Sequence, residues 1–192
     1  MSVLRVYDVN QPCLRAKCKK VNRITDTDRR LLDDMVETMR AANGVGLAAS
    51  QVGVLQRMIV VELDEELYML VNPEIVEGSD ETDVREEGCL SLPYYYGPVV
   101  RSLRITVRAL DPHGKRLKIR AEDWLARVLQ HEIDHLDGIL FFDPMRMRSL
   151  DDLVYKPPEA EGAEDEPSTS EQSDRKSQSQ SQGNAEPVAA AR

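Results

Sequence analysis

The sequence is poor in the residues that mark several large classes of protein. It has only three cysteines, Cys13, Cys18 and Cys89. An odd number at irregular spacing makes no disulfide framework, so these read as reduced thiols of a cytoplasmic protein. No apolar run approaches the ~20 residues a helix needs to cross a bilayer, so no membrane role is expected. The start, Met1-Ser2-Val3-Leu4-Arg5, has no basic segment leading into an apolar stretch and is not Arg/Ser-rich. It reads as neither a secretory signal nor a transit peptide. Basic residues are in deficit: 25 Lys and Arg against 34 Asp and Glu give a formal net charge of −9. Phosphate backbones are bound by basic footprints, so no direct nucleic-acid role is expected.

What is present suits one globular domain with an appendage. The chain has 192 residues, 41% hydrophobic and 31% charged, too short for two full domains of ordinary size. Composition changes sharply after Tyr155. Pro157 and Pro158 lead into a cluster of acids and then a Ser-Gln repeat over 177–182. Almost no large apolar residue occurs there, and such a segment cannot bury enough surface to offset the entropy of ordering. The expectation is a folded domain over 1–154 and an acidic Ser/Gln/Pro-rich disordered tail over 155–192.

Within the domain, Leu31, Leu32, Met35, Val36 and Met39 recur at helical spacing, with Asp26 or Thr27 as the cap and Asn43-Gly44 as the stop. Strand-like runs follow at Arg57–Leu63 and Leu67–Val76. Val99–Leu110 and Arg116–Arg120 read as a hairpin around Asp111-Pro112-His113-Gly114. A second helix is predicted from about Glu122 to Leu136, with Gly138 just past its end. Strands flank two helices without regular alternation, which favours α+β over a parallel α/β sheet.

The second helix holds the strongest chemical signal, His131-Glu132-Ile133-Asp134-His135. In this H-E-x-x-H pattern the imidazoles lie one turn apart and roughly 40° around the axis. Both can reach one cation, with a carboxylate beside them to handle protons on water. Five-residue patterns arise by chance, and paired histidines on a helix are usually surface or packing residues. The helix pattern argues against that here. Leu125, Val128, Leu129 and Leu136 define an apolar arc that includes Glu132, with the histidines at its edge beside Trp124. Asp123, Gln130, Asp134 and Asp137 are read as the wet side. A carboxylate in an apolar arc is costly unless paired or near a metal.

Catalytic metal sites usually have a third protein ligand. The position where a long zinc-protease pattern would place it holds Phe141, and the only later glutamates lie in the tail. An upstream donor is favoured, and Cys89 stands out in Glu86-Glu87-Gly88-Cys89-Leu90-Ser91-Leu92-Pro93. A lone cysteine is more often a small buried hydrophobe, but its glycine neighbour lets the backbone approach another element closely.

Three segments taken together resemble the peptide deformylases: Gly44-Val45-Gly46-Leu47-Ala48-Ala49-Ser50-Gln51 (the family's G-x-G-L-A-A-x-Q), Glu87-Gly88-Cys89-Leu90-Ser91 (E-G-C-L-S) and Gln130-His131-Glu132-Ile133-Asp134-His135 (Q-H-E-x-D-H). The likeness runs from about Pro12 to Asp143. It implies antiparallel sheets around a central helix that carries the histidines. It also implies one divalent cation on Cys89, His131 and His135, with Fe2+ favoured and Zn2+, Ni2+ or Co2+ as alternative occupants. Glu132 is then the proton carrier, while the Gln51 amide and the Leu90 backbone N–H stabilise an oxyanion. Gly46 offers backbone contact to substrate, and Val45, Trp124 and Val128 are candidate walls for a methionyl side chain. The implied substrates are N-formyl-Met peptides and nascent chains, with transient ribosome association as a further partner. Three departures stand out: Tyr94-Tyr95-Tyr96 replaces a more polar stretch, Arg127 stands where an apolar pocket residue is expected, and the C-terminal helix is reduced to about Arg148–Tyr155. The competing readings are a general zinc endopeptidase, which would not prefer formylated termini, and a non-enzymatic module with a structural metal, which would call for four protein ligands.

Overall fold

A computed structural model describes residues 2–158 of the chain; the tail expected beyond Pro158 lies outside the described residues. The first helix, α1 (Asp26–Ala41), opens on a reciprocal cap one residue before the sequence reading put it. The Thr25 hydroxyl accepts the Asp28 N–H at 3.4 Å, and the Asp28 carboxylate accepts the Thr25 N–H at 2.7 Å. Two otherwise orphaned donors are thereby satisfied. The helix ends as expected at Asn43, which turns to φ 52°.

The strands are β1 (Gly46–Ala48), β2 (Met58–Leu63), β3 (Glu66–Gly78), β4 (Thr82–Cys89), β5 (Leu92–Ser102), β6 (Arg104–Leu110), β7 (Arg116–Glu122) and β8 (Val154–Tyr155), with α2 (Asp123–Leu136) between β7 and β8. They form two antiparallel sheets, in the orders β1-β2-β3-β6-β7 and β4-β5-β8. The fold is therefore α+β, as expected.

Strand β2 explains how the layers assemble. Met58 and Val60 point to one face and pack with Leu32, Met35, Val36 and Met39 of α1. Ile59 and Val61 point to the other and pack with Ala126, Leu129, Ile133 and Leu136 of α2. Burial on both faces is why this strand reads as an unbroken apolar run. The five-stranded sheet is thus covered by α1 on one face and α2 on the other.

Three expectations need correction, and one strand escapes the sequence reading. Val99–Leu110 is not one strand: β5 ends at Ser102 and β6 starts in the other sheet. The cause is Gln130, whose side-chain oxygen accepts the Ser102 N–H at 3.1 Å while its amide donates to the Ser102 carbonyl at 2.9 Å, tying that corner to α2. The strand β4 was not anticipated, because Thr-Asp-Val-Arg-Glu-Glu has no apolar alternation. The expected short helix at 148–155 is a single 3-10 turn, Leu150–Asp152, followed by β8. Val154 and Tyr155 pair with Tyr96 and Tyr95, and Pro157-Pro158 would bar helical continuation. Finally, α2 has no wet side of the expected composition, since Gln130 and Asp134 are buried at 5% and 6% exposure. The described fold also runs past residue 154, because Lys156 donates its N–H to the Tyr94 carbonyl at 2.7 Å.

Just after α2, Gly138 has φ 74°, and a Cβ there would come 2.5 Å from the Arg15 carbonyl oxygen. Gly138→Ala is expected to destabilise the chain by about 1–3 kcal/mol and Thr25→Ala by about 1 kcal/mol. Urea unfolding midpoints at fixed metal loading, with the glycine variant the worse of the two, are the check.

Candidate metal centre and active site

Cys89 closes β4 and faces the middle of α2, where His131 and His135 lie one turn apart. One ligand atom from each of the three lies within 4.8 Å of the others. The Cys89 sulfur is 3.3 Å from His135 Nε2. It also accepts the Ser91 N–H at 3.4 Å and lies 3.6 Å from the Gln51 amide nitrogen. His131 donates its Nδ1–H to Glu87 at 2.9 Å, which leaves Nε2 for a cation. This is the carboxylate–imidazole pairing that orients metal-binding histidines.

Among the described residues, two buried side-chain polar atoms have no hydrogen-bond partner, Glu132 Oε2 and His135 Nδ1. Unpartnered buried oxygens are expensive. Glu132 lines the same cavity as Cys89 and His131, so its free oxygen is placed to take a polar ligand such as water. The donor set therefore fits a divalent ion of the Zn2+/Fe2+ class. Burial pushes the Glu132 carboxyl up to about 7, a rise that the Glu87 charge reinforces and that His131 and Arg101 oppose. Burial holds His135 well below the ordinary imidazole value, in the neutral form a ligand needs. For His131 burial acts downward as well, but the Cys89 sulfur and the Glu87 carboxylate outweigh it and hold the ring well above its usual value. A cation at the site meets the same demand for positive charge.

Gln51 is set by its own neighbours. Its side-chain oxygen accepts the Ala48 N–H at 2.8 Å, so the amide nitrogen must face Ser91 Oγ, at 3.2 Å, and Cys89. Gly46 has no side chain for a physical reason: a Cβ would collide with the Glu132 carboxylate, 2.9 Å from its Cδ. Around these groups opens a cavity of about 630 Å3. Of the residues singled out in the sequence, Val45, Gly46, Gln51, Cys89, Leu90, Trp124, Val128, His131 and Glu132 all line it. His135 lies behind them, at 1% exposure.

The sequence reading missed the charged frame behind the site. Arg101, 1% exposed, donates Nε and Nη2 to the two Glu87 oxygens at 2.9 and 2.8 Å and also pairs with Asp134. Arg127 donates to Glu87 at 2.7 Å, to the Val99 carbonyl at 3.0 Å and to Asp83 at 2.5 Å. The suspected intruder in an apolar pocket does border the cavity, but its charge is engaged by these partners. Arg146 grips Asp134 from the other side at 2.6 and 2.7 Å. Burial alone would raise the Glu87 carboxyl, but Arg101 and then His131 hold it far below the usual range. Strand period 2 offered the one available signal: Glu87 shares a face with Cys89, and Arg101 shares a face with buried Val99.

Residues 3–151 match the family model described as polypeptide deformylase. The chain belongs to the polypeptide deformylase family. Members remove N-formyl groups from nascent polypeptides, and this chain is accordingly a metal-dependent hydrolase of that kind. Among similar proteins, the peptide deformylase of Halothermothrix orenii is 52% identical over 145 residues, covering 74% of this chain and 94% of that one. The peptide deformylase of Carboxydothermus hydrogenoformans is 49% identical over 157 residues, covering 81% and 99%. The crystal structure of the Thermotoga maritima peptide deformylase superposes with a TM-score of 0.74 at 39% identity, covering 77% of this chain and 99% of that chain. An Ehrlichia chaffeensis deformylase solved in complex with actinonin gives 0.71 at 45% identity, covering 74% and 88%.

The buried frame is testable through Asp134. On a wet helix face, Asp134→Ala would change stability by no more than about 0.5 kcal/mol. Leaving Arg101 without one of its buried partners is expected instead to cost about 3–5 kcal/mol, read from denaturant unfolding.

Proposed function

We propose a division of labour for deformylation of N-terminal formyl-methionine, the reaction that family membership assigns to the chain. Cys89, His131 and His135 hold one divalent cation, and we infer Fe2+ in the cell, with Zn2+, Ni2+ or Co2+ able to replace it. The cation, when bound, supplies Lewis-acid chemistry that acidifies water and polarises a carbonyl.

The protein's own groups do the rest. The attacking water gives one proton to Glu132 as its oxygen bonds to the formyl carbon. The carbonyl electron pair moves onto oxygen, where the Gln51 amide and the Leu90 N–H donate to the developing charge. Loss of one such donor typically costs 10²–10³ in rate, to order of magnitude. When the C–N bond breaks, Glu132 returns the proton to the leaving amine, freeing the methionyl amino group and formic acid, which gives up its remaining proton to solvent as formate. Gly46 brings substrate backbone close to Glu132, and Val45, Trp124 and Val128 wall the methionyl side chain. The observation that carries this reading is the unpartnered, buried oxygen of Glu132, a residue that lines the same cavity as Cys89 and His131.

No helix among the described residues is long and apolar enough to cross a membrane. With thiols unpaired and nascent chains as substrate, we place the enzyme in the cytoplasm, in transient contact with ribosomes.

The decisive experiment is an anaerobic assay on formyl-Met peptides with metal measured on the same sample. Cys89→Ala is expected to lose stoichiometric metal and activity together. Glu132→Gln keeps the size of the side chain but cannot take a proton, so it is expected to retain metal while losing at least about 10²-fold in rate. Wild-type turnover in Glu132→Gln would refute the proton role, and metal loss as complete as in Cys89→Ala would make it a ligand. The tail is expected to be dispensable. Truncation after Pro158, which spares Lys156, should leave kcat/KM on a short formylated peptide unchanged within about twofold, since burial-poor segments contribute little.

A further inference from the structure

The cavity mouth carries more aromatic surface than the reaction above uses. Tyr94, Tyr95 and Tyr96 line one side of it. Tyr155 of β8 lies against two of them, its ring centroid 6.4 Å from Tyr94 in an edge arrangement and 5.1 Å from Tyr95. Tyr94, Tyr95 and Tyr155 are 45%, 37% and 53% exposed, so their rings are not there to fill a core.

Tyr94 is also held in an unfavourable backbone conformation. Its φ is 69°, a region that bulky side chains avoid and that glycine adopts freely. Its carbonyl accepts the Lys156 N–H at 2.7 Å, and β8 brings up Tyr155 from the same stretch. Lys156 Nζ pairs with Glu86 at 2.6 Å and lies 5.3 Å from the centre of the Tyr96 ring. Glu86, another cavity-lining residue, therefore has its charge answered. What remains at this part of the rim is apolar ring surface, kept in place against a local conformational cost. Strain held at a site's edge points to use of that edge.

We propose that Tyr94 and Tyr95 form an aromatic ledge that selects a large apolar or aromatic side chain at the second or third residue of the formylated peptide, with Tyr155 as the residue that positions them. This rests on the deformylation reading above. The substrate is a polymer whose first side chain enters the cavity, so the following residues must leave across its mouth. At about 3.3 Å per extended residue, the second and third stay within reach of a rim continuous with the catalytic cavity. Tyrosine offers large contact area with little rotamer entropy to lose, which suits it to gripping peptide side chains. The ledge offers no unpaired charge for an acidic or basic side chain, so the favoured partner is apolar.

The test compares kcat and KM of the full-length, metal-loaded enzyme on formyl-Met-Ala-Ala, formyl-Met-Phe-Ala and formyl-Met-Ala-Phe. At least one phenylalanine peptide is expected to exceed the alanine peptide severalfold in kcat/KM, up to about tenfold, with the gain in KM. Tyr94→Gly, which relieves the backbone as it removes the ring, is expected to bring that ratio close to one, whereas Tyr94→Phe retains it. Tyr155→Ala is expected to lower the same ratio, chiefly by raising KM for the phenylalanine peptide. If Tyr94→Gly does not fold, the Tyr155→Ala ratio decides. Absence of any preference in the wild type, or a preference that survives both variants, overturns the ledge. Failure of the wild type to turn over formyl-Met-Ala-Ala would instead overturn the deformylation reading itself.

Discussion

The site depends on the neutralisation of Glu87. This carboxylate sits in a buried corner where an isolated charge would be prohibitive. It survives because Arg101 meets it through two parallel hydrogen bonds, Arg127 adds a third, and His131 a fourth. Each partner does something else as well. Arg101 reaches on to Asp134, which Arg146 clamps. Arg127 ties β4 and β5 to α2 through the Val99 carbonyl and Asp83. His131 is turned so that its second nitrogen faces Cys89. One anion thus couples the smaller sheet, the central helix and an imidazole of the candidate metal site. Charged networks of this sort add little net stability compared with a well-packed apolar core, but breaking one is costly. That asymmetry makes the arrangement a strong constraint on geometry.

The apolar side of the molecule complements this. The five-stranded sheet is anchored between α1 and α2 by alternating side chains of β2, which fixes where α2 lies before any polar contact is counted. The smaller sheet then needs only to deliver Cys89 and Glu87 to the opposite face of the helix. With both on one side of β4, two residues apart, the same strand supplies a sulfur donor and the carboxylate that orients its neighbouring imidazole.

Legibility from sequence followed the physics. The H-E-x-x-H spacing, the helix that bears it and the β6–β7 hairpin announce themselves through local periodicity and turn chemistry, and all are present. Cys89 could be narrowed only by elimination and by likeness to a family, because a strand made of Thr82-Asp83-Val84-Arg85-Glu86-Glu87 has no hydrophobic alternation to betray it. The misreading of Gln130 and Asp134 as solvent-facing has a related cause. Polar residues are assigned to water by default, and only their partners, Ser102, Arg101 and Arg146, all remote in sequence, show that they are interior. The last strand escapes notice for the opposite reason. Two residues, Val154 and Tyr155, are too short a signal for a strand unless the strand they join is already known.

The position of α2 has one more consequence, in the time domain. A helix packed on one face against an apolar sheet and tied elsewhere to an ion network is expected to open locally less readily than the exposed margin, so most of its backbone amides should exchange slowly with solvent. His131 and His135 ride on that helix, while β8 and the tyrosines beside it sit at the exposed margin. The cavity mouth therefore lies at the exposed margin, and the two imidazoles that could hold a metal lie on an element held from within.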